Sequence, residues 1–197
     1  MGLGEHAVDY THKPLAAASA LCKEDCHQGP QSFKLAPMST IVAKLSPAPA
    51  WHSSQWFNAD SPLSLEDLCG QVVVMHAFQM LCPGCVSHGI PQAKRIHELF
   101  RGDDLAVIGL HTVFEHHAAM TPVSLQAFLH EYRVGFPVGV DMPGEGTPIP
   151  RTMAAYRMQG TPTLILIDRQ GNLRHQAFGQ TDDLAVAAAI AGLLHEG

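Results

Sequence analysis

Cys82-Pro83-Gly84-Cys85 stands between an apolar run and a helical stripe, and that placement limits the fold more than any other feature of the chain. Val72 to Phe78 is short, largely apolar and rich in β-branched valine, the pattern of a buried strand. After the cysteines, Val86, Ile90, Ala93, Ile96 and Phe100 recur at helical spacing. A helix is therefore expected from about Pro83 to Phe100, bent at Pro91. A strand that turns directly into a helix sets both cysteines at a helix N-terminus. Free amide donors and the helix dipole there favour a thiolate at the first cysteine. Cys82 then reads as an exposed nucleophile, and Cys85, one turn inward, as the thiol that resolves a mixed disulfide. Pro83 suits an early helical position because it needs no amide donor.

A Cys-x-x-Cys can also be half of a zinc site, which would need two more ligands. A second close Cys-x-x-Cys is missing, although Cys22, Cys26 and His27 could contribute. The strand-turn-helix setting favours redox chemistry over zinc. Five cysteines, an odd number in 197 residues, argue against a secreted disulfide scaffold. Cys22 to His27 resembles a haem-attachment motif with one residue too many. Surface thiols are the default reading for Cys22 and Cys26, and a regulatory disulfide between them is the next. Cys69 reads as a small structural residue.

The remaining pattern is that of an α/β chain. Leu105 to His111 is a second apolar strand. Thr121-Pro122 caps a helix whose expected buried stripe is Val123, Leu125, Phe128, Leu129 and Tyr132. Phe136 to Val140 is a third strand, and Pro150 opens a short helix ending near Met158. Leu164 to Asp168 is a fourth strand. Arg169-Gln170-Gly171-Asn172 turns it into a fifth, Leu173 to Phe178. Thr181-Asp182-Asp183 caps a last helix with Leu184, Ala188, Ala191 and Leu194 on its apolar face. Crossover helices between the early strands and a late hairpin imply a mixed central sheet with helices on both faces. Residues 1–50 lack this periodicity and carry prolines at 14, 30, 37, 47 and 49. They read as an N-terminal extension, with a short helix around Leu15 to Asp25, ahead of a domain at 51–197.

Three stretches in order carry a family resemblance. They are Leu65 to Val74, Cys82-Pro83-Gly84-Cys85, and Tyr156-Arg157-Met158-Gln159-Gly160-Thr161-Pro162-Thr163 followed by Ile167 to Gly171. Residues 51–197 resemble the thioredoxin superfamily, most closely its TlpA/ResA-like branch of thiol-disulfide oxidoreductases (redoxins). The resemblance implies a thioredoxin-like fold and makes Pro162 the family's cis-proline, whose loop, with Thr161, aligns bound substrate. It also implies that Leu81, Pro83 and Gly84 border the substrate. Leu81 replaces the tryptophan that thioredoxins commonly place before the first cysteine. His76 replaces their buried aspartate on the core strand. A buried imidazole there could take the proton of Cys85 during resolution; the plainer reading is a core histidine bonded to a backbone carbonyl.

The function expected is thiol-disulfide exchange through Cys82 and Cys85 with no organic cofactor, the redox-active disulfide serving instead. Its partners would be a protein or small-molecule disulfide and a redox protein that resets the pair. The competing reading is a peroxiredoxin-like thiol peroxidase. Some peroxiredoxins carry Thr-Pro-Gly-Cys, and in that alignment Cys85 would attack peroxide, with Arg133 or Arg151 as guanidinium donor. A third reading is an adaptor with incidental thiols. His111, Glu115, His116 and His117 could form a metal site at a strand end but read first as a solvated loop. Twelve basic against eighteen acidic residues, with no basic cluster, argue against nucleic acid as a partner. No apolar run reaches the roughly 20 residues needed to span a bilayer. The start lacks a signal-peptide pattern, so the chain reads as cytoplasmic as written and periplasmic if a leader was removed.

Overall fold

The computed structural model describes residues 46–102 and 104–196. The expected helix at Leu15 to Asp25, Cys22, Cys26 and His27 lie outside the described residues.

Seven strands form one sheet: β1 (Ser46–Pro47), β2 (Ser53–Phe57), β3 (Val72–Phe78), β4 (Leu105–His111), β5 (Val138–Asp141), β6 (Thr163–Ile167) and β7 (Asn172–Phe178). Their spatial order is β1-β7-β6-β3-β4-β5-β2. β3 pairs parallel with β4 and antiparallel with β6, and β4 pairs parallel with β5. The sheet is mixed, as the crossovers and late hairpin imply. Four helices flank it: α1 (Ile90–Leu99), α2 (Pro122–Glu131), α3 (Arg151–Ala155) and α4 (Asp183–His195). None of the described helices is long and apolar enough to cross a membrane.

β3 is buried along its whole length, and its side chains serve two cores. Val72, Val74 and Phe78 face the core that also takes Ile90 and Ala93 of α1, Leu125 of α2 and Ile190 of α4. Val73, Met75 and Ala77 face the core on the other side, with Met153 of α3. That alternation is the two-residue period of a strand with both faces covered.

The ends of the elements have local causes. Thr121 Oγ1 accepts the Ser124 amide at the start of α2, and Asp182 caps α4 through the Ala185 amide. Pro150, ahead of α3, has no capping side chain. Asp141, from the end of β5, accepts the Thr152 and Met153 amides instead, at 2.8 and 3.0 Å. In the β6–β7 turn, Asp168 accepts the amides of Gln170 and Asn172, and Gly171 takes φ +80°, where a Cβ would be strained.

Several details differ from the sequence expectations. The helix starts at Pro83, as expected, but widens to a π-helical segment, Cys85–Gly89, before α1. The wide turn hands over to α-helix just ahead of Pro91, which lies in the first turn of α1 and has no amide to donate. Val123 is 79% exposed, and α2 buries Leu125 and Leu129. Leu184 is 81% exposed, and α4 buries Val186, Ile190 and Leu193 with Leu194 packed partly against the same core, while Leu184, Ala188 and Ala191 are exposed. That helix is apolar on most of its faces, so its sequence offers no contrast from which to choose one. β2 pairs antiparallel with β5, and β1 pairs with β7 at the opposite edge.

Two buried histidines tie stability to pH. Burial pushes His76 and His111 each down to about 4, so both are neutral in the folded chain at neutral pH. An unfolded histidine protonates near pH 6.5. Between about 6.5 and 4 the unfolded chain binds more protons, and stability falls with pH. Neither ring nitrogen of His111 has a hydrogen-bond partner. His111→Leu should therefore hold or raise stability at pH 7. It should also remove on the order of 3 kcal/mol of the loss between pH 7 and pH 4. Urea unfolding at both pH values checks this; parallel losses in the two proteins refute it.

Candidate functional site

The two cysteines lie where β3 runs out into the π-helical segment, and both are free thiols. Cys82 is half-buried, and Cys85 is 0% exposed. The Cys85 amide donates to Cys82 Sγ at 3.2 Å, and the Cys82 thiol donates to the Thr161 carbonyl at 3.4 Å. The first contact is the unpaired amide of a helix start aimed at sulfur. Burial, foremost, and then the neighbouring Cys82 push the Cys85 thiol up to about 12. Cys85 stays protonated at neutral pH while Cys82 remains in reach of solvent. Two sulfurs separated by two residues thus occupy unlike environments.

The Thr161–Pro162 peptide bond is cis. Pro162 sits against the cysteine turn: a β-carbon added at Gly84 would stand 3.3 Å from Pro162 Cδ, and one at Gly89 3.1 Å from Pro162 Cβ. The absence of side chains at 84 and 89 is what lets the loop approach.

His76 lies below this contact. Its Nδ1 is 3.5 Å from where a Gly89 β-carbon would stand. Nδ1 has no hydrogen-bond partner, and Nε2 lies 3.2 Å from Gln92 Oε1. His76 is thus buried, but its one partner is a side-chain amide and not a backbone carbonyl.

A groove of about 440 Å³ opens beside Cys82. Leu81, Cys82, Pro83 and Thr161 line it, together with Phe114 and Phe178. Leu81 and Phe178 are 57% and 53% exposed and give the rim an apolar part, while Gln79, Glu115, His116 and Gln159 add polar groups to the lining. Gly84 does not line the groove and instead faces Pro162. The sequence reading did not single out Phe114, Phe178 or Gln92. A glutamine between the buried positions Ile90 and Ala93 was the one available signal for Gln92.

Of the other candidates, Glu115 and His116 also line the Cys82 groove. Arg151 pairs with Glu145, and Arg133 borders a separate cavity with Asn58 and His130; neither lines the Cys82 groove. His111 is buried, whereas Glu115, His116 and His117 are exposed. Among the described residues no three His, Cys, Asp or Glu side chains form a group able to hold a metal ion.

This sheet order, with a cysteine pair at the start of a helix and a cis-proline against it, defines the redoxin class of the thioredoxin superfamily. The AhpC/TSA family model matches residues 46–176, and the chain belongs to the AhpC/TSA family. A solved thioredoxin-like superfamily protein is 59% identical, with a TM-score of 0.75 over 77% of this chain and 97% of its own. A thiol-disulfide isomerase from Corynebacterium glutamicum is 51% identical, with a TM-score of 0.72 over 76% of this chain and 98% of its own. Protein DipZ of Mycobacterium bovis is 27% identical over 143 residues, 72% of this chain, and the match spans only 19% of DipZ. The fold is thioredoxin-like.

The unequal burial of the thiols has a direct chemical readout. Iodoacetamide at neutral pH should label Cys82 and the exposed Cys69 in the folded protein and spare Cys85 until denaturant is added. Peptide mass spectrometry reads the order; native labelling of Cys85 as fast as Cys82 would contradict it.

Proposed function

We propose that the protein exchanges disulfides with protein or small-molecule substrates through Cys82 and Cys85, Cys82 attacking and Cys85 resolving. The observation that carries this reading is the contrast between a half-buried Cys82 that accepts an amide and a buried thiol at Cys85 pushed up to about 12. Cys82 thiolate attacks a substrate disulfide, forms a mixed disulfide and releases one substrate thiolate. Cys85 sulfur then bonds to Cys82 sulfur, and the bond from Cys82 to substrate breaks with its electron pair on the second substrate thiolate. The Cys85 proton passes to His76 and from there to the departing thiolate or water. The chain ends as the Cys82-Cys85 disulfide, and a redox partner protein returns it to the dithiol. Thr161 and Pro162 align the substrate, whose apolar groups rest on Leu81, Pro83, Phe114 and Phe178. No organic cofactor enters these steps.

The peroxidase reading asks Cys85 to be the attacking thiol. Its burial, its raised pKa and the distance of Arg133 and Arg151 from the groove lining all weigh against it. A peroxide would have to reach a sulfur with no exposed surface.

Cysteine variants separate the roles. Cys82→Ser should abolish reduction of a disulfide-containing peptide. Cys85→Ser should accumulate a mixed disulfide at Cys82, visible as an added peptide mass, and turnover should fall at least about 100-fold. Wild-type protein should react with the peptide much faster than with hydrogen peroxide. Sulfenic acid appearing first on Cys85, or normal turnover by Cys85→Ser, would overturn the assignment.

A further inference from the structure

Gln92 is buried in the first turn of α1, and every polar atom of its side chain is engaged. Its Nε2 donates to the Thr181 carbonyl at 3.0 Å and to Asp183 Oδ1 at 2.8 Å. Its Oε1 lies 2.9 Å from Thr181 Oγ1 and 3.2 Å from His76 Nε2. A backbone carbonyl and an ionised carboxylate can only accept. The amide NH2 must therefore face Thr181 and Asp183, and Oε1 must face His76. An oxygen can only accept, so the hydrogen on the shared edge belongs to His76 Nε2. In a neutral imidazole the other nitrogen, Nδ1, then carries the lone pair. Nδ1 is the nitrogen directed at Gly89 and the Pro162 contact, and it has no partner.

We infer that Gln92 is a positioning residue that locks His76 as the Nε2–H tautomer, leaving Nδ1 as the proton acceptor beneath the cysteine turn. This rests on the proposed role of His76 in resolution. The lock is anchored outside α1: Thr181 and Asp183 stand at the start of α4, and Asp183 is held in turn by Arg95 at 2.8 Å. His88 Nε2 also lies 3.2 Å from the Thr181 carbonyl, so two side chains from the helix after the cysteines converge on that one oxygen. During resolution the proton leaves Cys85 for Nδ1 as the Cys85–Cys82 bond forms. The transient imidazolium keeps its Nε2–H on Gln92 Oε1 and releases the Nδ1 proton to the outgoing thiolate or to water. With the opposite tautomer, Nδ1 would carry hydrogen and could accept nothing.

The test uses the full chain with Cys22, Cys26 and Cys69 replaced by serine. The probe is a symmetrical aryl disulfide whose released thiolate absorbs visible light. Its first release reports attack by Cys82, and its second reports resolution by Cys85. Long-range proton–nitrogen NMR of His76 reads the tautomer directly. The expected wild-type spectrum has hydrogen on Nε2 alone. Gln92→Met should yield mixed tautomers and slow the second release at least about tenfold, a fraction of what a general base contributes. The first release should stay within about twofold. Asp183→Ala, an exposed change that removes one of the two acceptors holding the amide, should shift both readouts in the same direction by less, should Gln92→Met fold poorly. A wild-type spectrum with hydrogen on Nδ1 overturns the inference, as does a normal second release in a variant with altered tautomer. His76→Leu separates the two levels. If His76→Leu resolves at the wild-type rate, the role of His76 itself falls; if it is slow while Gln92→Met is normal, only the lock falls.

Discussion

The approach of Pro162 to the cysteine turn is the contact on which the rest of the site depends. The proline reaches that turn from the start of β6, and β6 is hydrogen-bonded to β3, the strand that delivers the cysteines. Two neighbouring strands of one sheet therefore fix the separation of the two loops. The fit is close enough that residues 84 and 89 lack side chains, with Pro162 carbons 3.3 and 3.1 Å from the places their β-carbons would fill. The same approach brings the Thr161 carbonyl to Cys82 and closes the space above His76. A bulkier residue at 89 would press on the proline and the imidazole together, so the loop, the helix and the buried histidine form one packed unit.

Much of this was legible in the sequence wherever hydrophobic contrast is strong. Val72 to Phe78 could only be a buried strand, and the stripe Ile90, Ala93, Ile96 could only face a core. Contrast fails in two ways. α4 is apolar almost all round, so the choice of Val186, Ile190 and Leu193 over Leu184 is made by the sheet it meets. β2, with Ser53, Ser54 and Gln55, is too polar to read as a strand until β5 supplies the partner. The π-helical segment was invisible because widening one turn changes hydrogen bonds and not residue types. His76 and Pro162 could be found by resemblance. The part of Gln92 could not, because its meaning lies in contacts to Thr181 and Asp183, about ninety residues away.

In the proposed exchange the two thiols divide the work by solvation. A thiolate buried at position 85 would lose its hydration with no charge to compensate, and that loss leads the causes of its raised pKa. The Cys82 sulfur stands at the surface and takes an amide hydrogen bond. Cys82 thus lies where a bulky disulfide can reach it, and Cys85 lies where none can until Cys82 has bound one. The apolar part of the rim, Leu81 and Phe178, fits the same order of events, since covering it with substrate lowers the local dielectric and strengthens the polar contacts beneath.

In the proposed mechanism, burial also explains why an imidazole suits position 76. A carboxylate there would have to keep a buried charge or hold a proton it could not quickly give up. A neutral imidazole buries no net charge at rest. The same burial makes its protonated form unfavourable, with a pKa of about 4 against a thiol pushed up to about 12. Complete transfer between two such groups before sulfur attacks would be far uphill. Two features narrow the gap. Once Cys82 is tied up in a mixed disulfide, its hydrogen bond to Cys85 and its charge no longer hold the thiol proton in place, and both of those contributed to the rise. The proton also moves as the new sulfur–sulfur bond forms, so neither a free buried thiolate nor a lasting imidazolium accumulates. A base that is weak at rest and correctly oriented suits that sequence. Orientation then becomes the property worth fixing, and an uncharged glutamine held at both ends of its amide fixes it without adding a charge to the core.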